Sequence, residues 1–301
     1  MTMKSLFYIT IALFSFLIIA GCEPLNQDEY EEFFVIESYA VAGRPLPDIT
    51  IKRTADATEF FDDEALRVNN ASVQLLRLDE SGNIIDQYGY SLSDNIGVYS
   101  AENRNAVIID GGTYQFIADV PGADEQIRAT TIVPDSFEII SDIPEQLVYQ
   151  GTEQLEITIT NTTPEFRQNV FVFSTIAQEP VEENLTPFYK ASFDDDNIDL
   201  DDVIINSSGL INEGSFDINP NNTITLRFPW LGVAFYGENV VVINSVDENL
   251  FDLVRSQEVQ LGGSTLSPGE IPNVLYNTEG AIGVFGSMST DTVNTRFIRG
   301  F

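Results

Sequence analysis

GGTYQFIADV (residues 111–120) decides the fold. Tyr114, Phe116, Ala118 and Val120 recur at every second position, and side chains two apart on an extended chain share a face. Gly111-Gly112 supplies the turn before it. The same style extends in both directions. FFVIESYAV (33–41) is an apolar-aromatic run of strand length, ASVQLLRL and IIDQYGY flank the turn Ser81-Gly82-Asn83, and residues 126–133 run to Pro134. Short strands at this spacing, with no convincing helix between them, predict an immunoglobulin-like β-sandwich of about a hundred residues over 33–135.

Residues 136–301 read as a second β-rich unit with longer loops. Leu155, Ile157 and Ile159 alternate with polar partners, as do Ile224, Leu226 and Phe228, while residues 169–177 and 240–246 are buried-type runs. One short helix is expected over 247–257, where Leu250, Leu253, Val254 and Gln257 recur at three- and four-residue spacing, with Ser245 or Asp247 as N-cap. The boundary is placed in PDSFEIISDIP (134–144). The expected fold class is therefore mainly β, two immunoglobulin-like β-sandwich domains, the second carrying one short helix.

The N-terminus reads differently. Lys4 precedes an apolar run over residues 6–20 interrupted only by Thr10 and Ser15. A membrane-crossing helix needs ~20 apolar residues for ~30 Å of hydrocarbon, so the run fits the core of a secretory signal over residues 1–21. It closes on Ile19-Ala20-Gly21-Cys22, which resembles the lipobox of bacterial lipoproteins. That resemblance implies a mature chain starting at Cys22, with its sulfur diacylglycerylated and its amine acylated, palmitate being a suitable chain. Cys22 is the sole cysteine. Residues 22–32 form an acidic tether. The tether resembles the export signal of surface-exposed lipoproteins of the Bacteroidota, although its acids start mostly at Asp28.

Charge and missing residue types exclude whole function classes. Lys and Arg total 14 against 47 Asp and Glu, a formal charge of −33, which repels phosphate backbones and rules against nucleic acid as partner. Hydrophobic residues at 43% exceed what a disordered acidic chain carries. No histidine occurs, which removes imidazole bases, triads and imidazole metal ligands. With Cys22 acylated, thiolate chemistry goes too. Carboxylate pairs of the glycoside-hydrolase kind remain, but acids are too abundant for any pair to stand out. The chain is read as not an enzyme.

Three local features are candidate sites. Asp195, Asn197, Asp199 and Asp201 fall at every second residue, so an extended segment would set four oxygen ligands on one side for calcium. The segment departs from the EF-hand template, with Leu200 at position six and Asn206 at position twelve, and a solvated acidic loop is the preferred reading. Trp230 lies in FPWLGVAFYG (228–237) among Phe228, Phe235 and Tyr236, a cluster read as core in preference to a ligand platform. Asp291-Thr292-Val293 resembles the O-glycosylation acceptor of the Bacteroidota, with Thr292 as the modified residue. Asparagine sequons such as Asn161-Thr162-Thr163 carry no weight in a bacterium.

EIPNVLYNTEGAIGVFGSMST (270–290) is similar to the closing signature of a Bacteroidota lipoprotein family, domain of unknown function 4249. Its proline, asparagine, spaced glycines and aromatic fall here on Pro272, Asn277, Gly280, Gly283, Phe285 and Gly286. SVDENLFDLV resembles the helix before that signature. NNASVQLLRLDESGNI, GGTYQFIADVPG and ATTIVP match the first half. Gly280-Ala281 stands where the family has two glycines, and lysine and arginine are scarcer here. The glycine spacing is no dinucleotide fingerprint; in strands, glycine serves a bulge, a positive φ or a close backbone approach. The resemblance implies a lipid-anchored outer-membrane protein, at the cell surface in preference to the periplasmic face. It further implies an accessory or binding role beside a TonB-dependent receptor, without cofactor. A cell-surface adhesin or assembly component is the alternative, and a carboxylate-based glycan hydrolase a third.

Overall fold

The computed structural model describes residues 30–56, 58, 60–160, 169–195, 198–212, 215–261 and 274–300, with the side chains of 258–261 left aside. The expected signal segment, Cys22, most of the tether, Asn197 and Pro272 lie outside the described residues.

The first half forms β1 (Phe34–Val41), β2 (Ile49–Arg53), β3 (Ser72–Leu78), β4 (Ile84–Leu92), β5 (Val98–Ala101), β6 (Thr113–Asp119) and β7 (Ile127–Ile132). They hydrogen-bond in the order β1-β2-β5-β4-β3-β6-β7. The alternation in β6 does what its spacing predicts: Tyr114, Phe116 and Ala118 are wholly buried. The turn between β3 and β4 is set by Asp79, whose Oδ1 accepts the N–H groups of Ser81 (2.9 Å) and Asn83 (2.8 Å). Gly82 completes it at φ +80°, where a Cβ would be strained.

The second half supplies β8 (Gln146–Val148), β9 (Glu156–Thr160), β10 (Val170–Ala177), α1 (Pro187–Asp194), β11 (Ile205–Ser207), β12 (Ile211–Asn212), β13 (Asp217–Ile218), β14 (Thr223–Arg227), β15 (Gly237–Val246), α2 (Glu248–Leu261), β16 (Thr278–Glu279) and β17 (Ile282–Ile298). β13, β14 and β9 form a separate three-stranded sheet. Its Ile157, Ile159, Ile224 and Leu226 bury against Phe171, Phe173, Val241 and Ile243 of the larger sheet, as two packed sheets do.

β17 belongs to both halves. Residues 282–288 run parallel to β1, residues 288–297 antiparallel to β15, and Arg296, Phe297 and Ile298 parallel to β8. Two apolar clusters follow the same division. One gathers Ile36, Leu75, Tyr114, Phe116 and Phe285; the other gathers Ile157, Phe171, Phe173, Leu226 and Phe297. A smaller third cluster forms around Leu185, Tyr189, Val203 and Phe235 beneath α1. The first cluster takes Ala281 and Phe285 from beyond residues 134–144 as well as residues before them, backbone pairing runs through both halves by way of β17, and Phe33–Phe301 form one compact unit.

The chain is mainly β, as its alternation predicts. The single expected helix needs correction, because two α-helices stand among the described residues. α1 carries Pro187 in its first turn, the position proline favours, but at eight residues its apolar pattern is too short to register a period. α2 begins where expected and runs about one turn further, capped by Asp247. Ser245 is a strand residue of β15.

Candidate functional site

The signature residues converge where the first sheet curls round and β7 comes to face β17. Among the described residues no ladder joins these two strands; side chains span the gap. Asn277 Nδ2 donates to Thr130 O (3.0 Å) on β7 and Phe285 O (2.8 Å) on β17, and its Oδ1 accepts the N–H of Phe285 (3.0 Å). One amide side chain thus takes the place of a strand's backbone. Asn249, in the first turn of α2, repeats the bridge from Nδ2 to Thr130 O (3.0 Å) and Phe285 O (3.3 Å), and also reaches Asp247 Oδ2 (3.0 Å).

Asp247 sits at the centre of this seam. Its Oδ1 accepts the Leu250 N–H (2.9 Å), its backbone N–H donates to Ser287 O (3.0 Å), and its Oδ2 lies 2.5 Å from Thr131 Oγ1. Thr131 Oγ1 is 2.6 Å from Ser287 Oγ, which in turn is 3.0 Å from Ile132 O. Thr131, Ser287 and Asp247 are 1%, 0% and 4% exposed, so no substrate reaches these hydroxyls. Burial raises the Asp247 carboxyl above the ordinary aspartate range, against the lowering pull of its hydrogen-bond donors. The seam can fasten strands; its closure to solvent excludes turnover.

The glycines make this approach possible. Gly283 adopts φ +118°, and a Cβ there would collide with the backbone carbonyl of Ile36 on β1. A Cβ on Gly286 would collide with the Leu250 side chain, so the bare backbone at 286 is the floor on which α2 rests. Between them Phe285 is wholly buried and meets Phe116 edge-on at 5.8 Å.

The candidates read from sequence fall elsewhere. Asp195 is the C-cap of α1 and Asp201 opens a 3-10 turn over Asp201–Val203. The extended strand on which the two-residue spacing relied is therefore absent at both positions. Asp199 donates its N–H to Asp202 Oδ2 (2.9 Å), and Asn197 lies outside the described residues. Among the described residues no group of three acids converges as a metal site. Trp230 is half-buried on the second cluster, with Tyr149 at 5.6 Å and Phe297 at 6.4 Å, which is the core position expected of it. Thr292 is exposed on β17. The adjoining Asp291 is structural: its Oδ2 accepts the Ile139 N–H (2.8 Å) and its Oδ1 the Thr292 N–H (2.8 Å). Sequence reading missed Thr131, Asn249 and Ser287. The one available signal was the capping role of Asp247, which implies a buried helix start needing partners.

A model of the family described as Domain of unknown function (DUF4249) matches residues 23–294. Comparison with curated proteins returns no match. The chain shows a faint likeness to solved structures, three of which follow. The three N-terminal domains of the Highly Immunogenic Outer Capsid protein of bacteriophage RB49 are 8% identical at TM-score 0.22, over 90% of this chain and 71% of that one. Trypsin-activated alpha-2-macroglobulin from Escherichia coli is 9% identical at 0.22, over 72% of this chain and only 14% of that one. The titin Ig tandem domains A164-A165 are 10% identical at 0.19, over 90% and 100%.

Proposed function

We propose that this chain, which belongs to the DUF4249 family, is a lipid-anchored, non-enzymatic accessory or binding subunit of a TonB-dependent receptor or uptake system in the outer membrane. The observation that carries the proposal is the apolar run of residues 6–20 closing on IAGC, with Cys22 the only cysteine of the chain. Each buried CH₂ contributes ~0.8 kcal/mol, so one acyl chain holds a protein marginally and two or more hold it firmly. Asp28, Glu29, Glu31 and Glu32 support presentation at the cell surface. The finer architecture we propose is two immunoglobulin-like sandwiches, 33–135 and 136–301, that share β17; the two apolar clusters support it.

A protein partner is supported by the face of the larger sheet across β11, β10, β15 and β17 that points away from the second cluster. Cross-strand register sets Ile205, Ile176 and Val240 in one row, and Ile205 is 59% exposed. The neighbouring row carries Ser207, Ser174, Val242 and Thr292, so a glycan on Thr292 would stand beside the apolar row. Calcium at Asp195, Asn197, Asp199 and Asp201 is a subordinate proposal. Radiolabelled palmitate tests the anchor: label enters the wild type and not Cys22→Ser, and equal labelling of the two overturns the reading.

A further inference from the structure

We propose that Asp247 is held as a neutral carboxylic acid, and that its proton completes a hydrogen-bond relay latching β7 to β17. The relay is the line Asp247 Oδ2, Thr131 Oγ1, Ser287 Oγ, Ile132 O, with successive separations of 2.5, 2.6 and 3.0 Å. Three oxygen–oxygen contacts need three hydrogens, one in each gap. Ile132 offers a carbonyl, which only accepts, and the two hydroxyls bring one hydrogen apiece. Ser287 must donate outward to Ile132, so Thr131 must donate to Ser287. The gap between Thr131 and Asp247 then has no hydrogen unless the carboxyl supplies it. An ionised Asp247 would draw the Thr131 hydrogen to itself and leave Ser287 one hydrogen for two acceptors.

Among the described residues, no side chain hydrogen-bonded to Asp247 carries a positive charge that would stabilise a carboxylate. The side chains hydrogen-bonded to Asp247 are Thr131 from β7 and Asn249 from α2, with Ser287 of β17 next along the relay and its carbonyl accepting the Asp247 N–H. The charged residues on these elements with described side chains are Arg128, Glu248, Asp252, Arg255, Asp291 and Arg296. Arg128 is taken by Gln126, Arg255 lies over the Phe251 ring, Asp291 holds the Ile139 N–H, and Arg296 pairs with Glu238. Burial and hydrogen bonds shift the carboxyl, with no charged neighbour among the causes. The start of α2 and the N–H donors favour the charged form, and the shift is upward all the same. A buried carboxyl without a cation keeps its proton.

The sign of the pH dependence follows. An unfolded aspartate titrates near ~3.9, and the folded value lies above it. The stability contributed by the protonated latch is fully present below the unfolded value and is lost as pH rises through the folded one. Asp247→Asn carries a permanent donor in place of the carboxyl O–H and does not titrate. Thermal unfolding of wild type and variant is followed between about pH 4 and about pH 8. The expected result is a gap that widens with pH in favour of the variant. A constant gap, or one that turns toward the wild type as pH rises, overturns the proposal. Should Asp247→Asn fail to fold, carbon-13 NMR of aspartate-labelled wild type reads the carboxyl directly. One buried carboxyl with the protonated chemical shift near neutral pH supports the relay; the carboxylate shift for every aspartate overturns it.

Discussion

Adding one methyl group at position 286 tests how the signature works. A Cβ on Gly286 would overlap Leu250, which is 6% exposed in the first turn of α2. Gly286→Ala therefore overpacks the contact, at a cost of ~1–3 kcal/mol. Leu250→Ala empties it, at ~2–5 kcal/mol. If the two sites were independent, the double variant would lose the sum. If the glycine exists to seat the leucine, the new methyl in the double variant fills part of the vacated space. Gly286 is not among the positive-φ residues, so alanine accepts its backbone. It also lowers the entropy of the unfolded chain, worth ~0.4–1 kcal/mol. The double variant should then be no less stable than Leu250→Ala alone, a coupling of ~1–3 kcal/mol. Urea unfolding, followed by far-ultraviolet circular dichroism and by Trp230 fluorescence, gives the four stabilities from midpoints at unchanged slope. Additive losses would refute the reasoning.

Gly283→Ala should cost more than Gly286→Ala, ~3 kcal/mol or above, because the left-handed backbone and the Ile36 carbonyl both oppose it; Leu250→Ala should not rescue it, and a neutral effect in chemical denaturation would contradict the close approach of β17 to β1. Phe285→Ala removes a wholly buried ring and should cost ~3–5 kcal/mol by the same assay, whereas a loss below ~1 kcal/mol would place the ring outside the core. Deleting residues 292–301 takes away Phe297 and most of the β17 ladder to β15, so soluble expression or the unfolding transition of the second cluster should be lost; an unchanged melt with lost partner binding would make the segment an interaction tail. Millimolar calcium should raise the melting temperature no more than sodium chloride of equal ionic strength, as screening of an acidic protein requires. A site occupied a hundredfold above Kd would add ~2.7 kcal/mol, and a calcium-specific rise abolished by Asp199→Ala would establish one.

Most strands were legible because each declares itself within seven or eight residues. Tyr114, Phe116 and Ala118 needed nothing beyond their own spacing, and Ser81-Gly82-Asn83 marked the turn between β3 and β4. The double membership of β17 was not legible. Its apolar positions predict a strand, but nothing in Ile282–Ile298 says that the partner changes from β1 to β15 at Met288. The short β11, β12, β13 and β16 carry two or three residues each, below the length at which any period can be read. The relay was hidden for another reason. Thr131 and Asp247 are 116 residues apart, and Thr131 and Ser287 are 156, so their meeting is a product of the completed fold. Only the chemistry of the helix cap pointed toward it.

Crosslinking in native outer membranes, followed by capture of this chain and identification of what comes with it, tests the functional proposal most directly. The account predicts a TonB-dependent receptor captured with the wild-type chain, and its loss when Cys22→Ser prevents anchoring. Capture of the wild type from the membrane fraction with no receptor attached, or recovery of the same partner by unanchored Cys22→Ser, would contradict it.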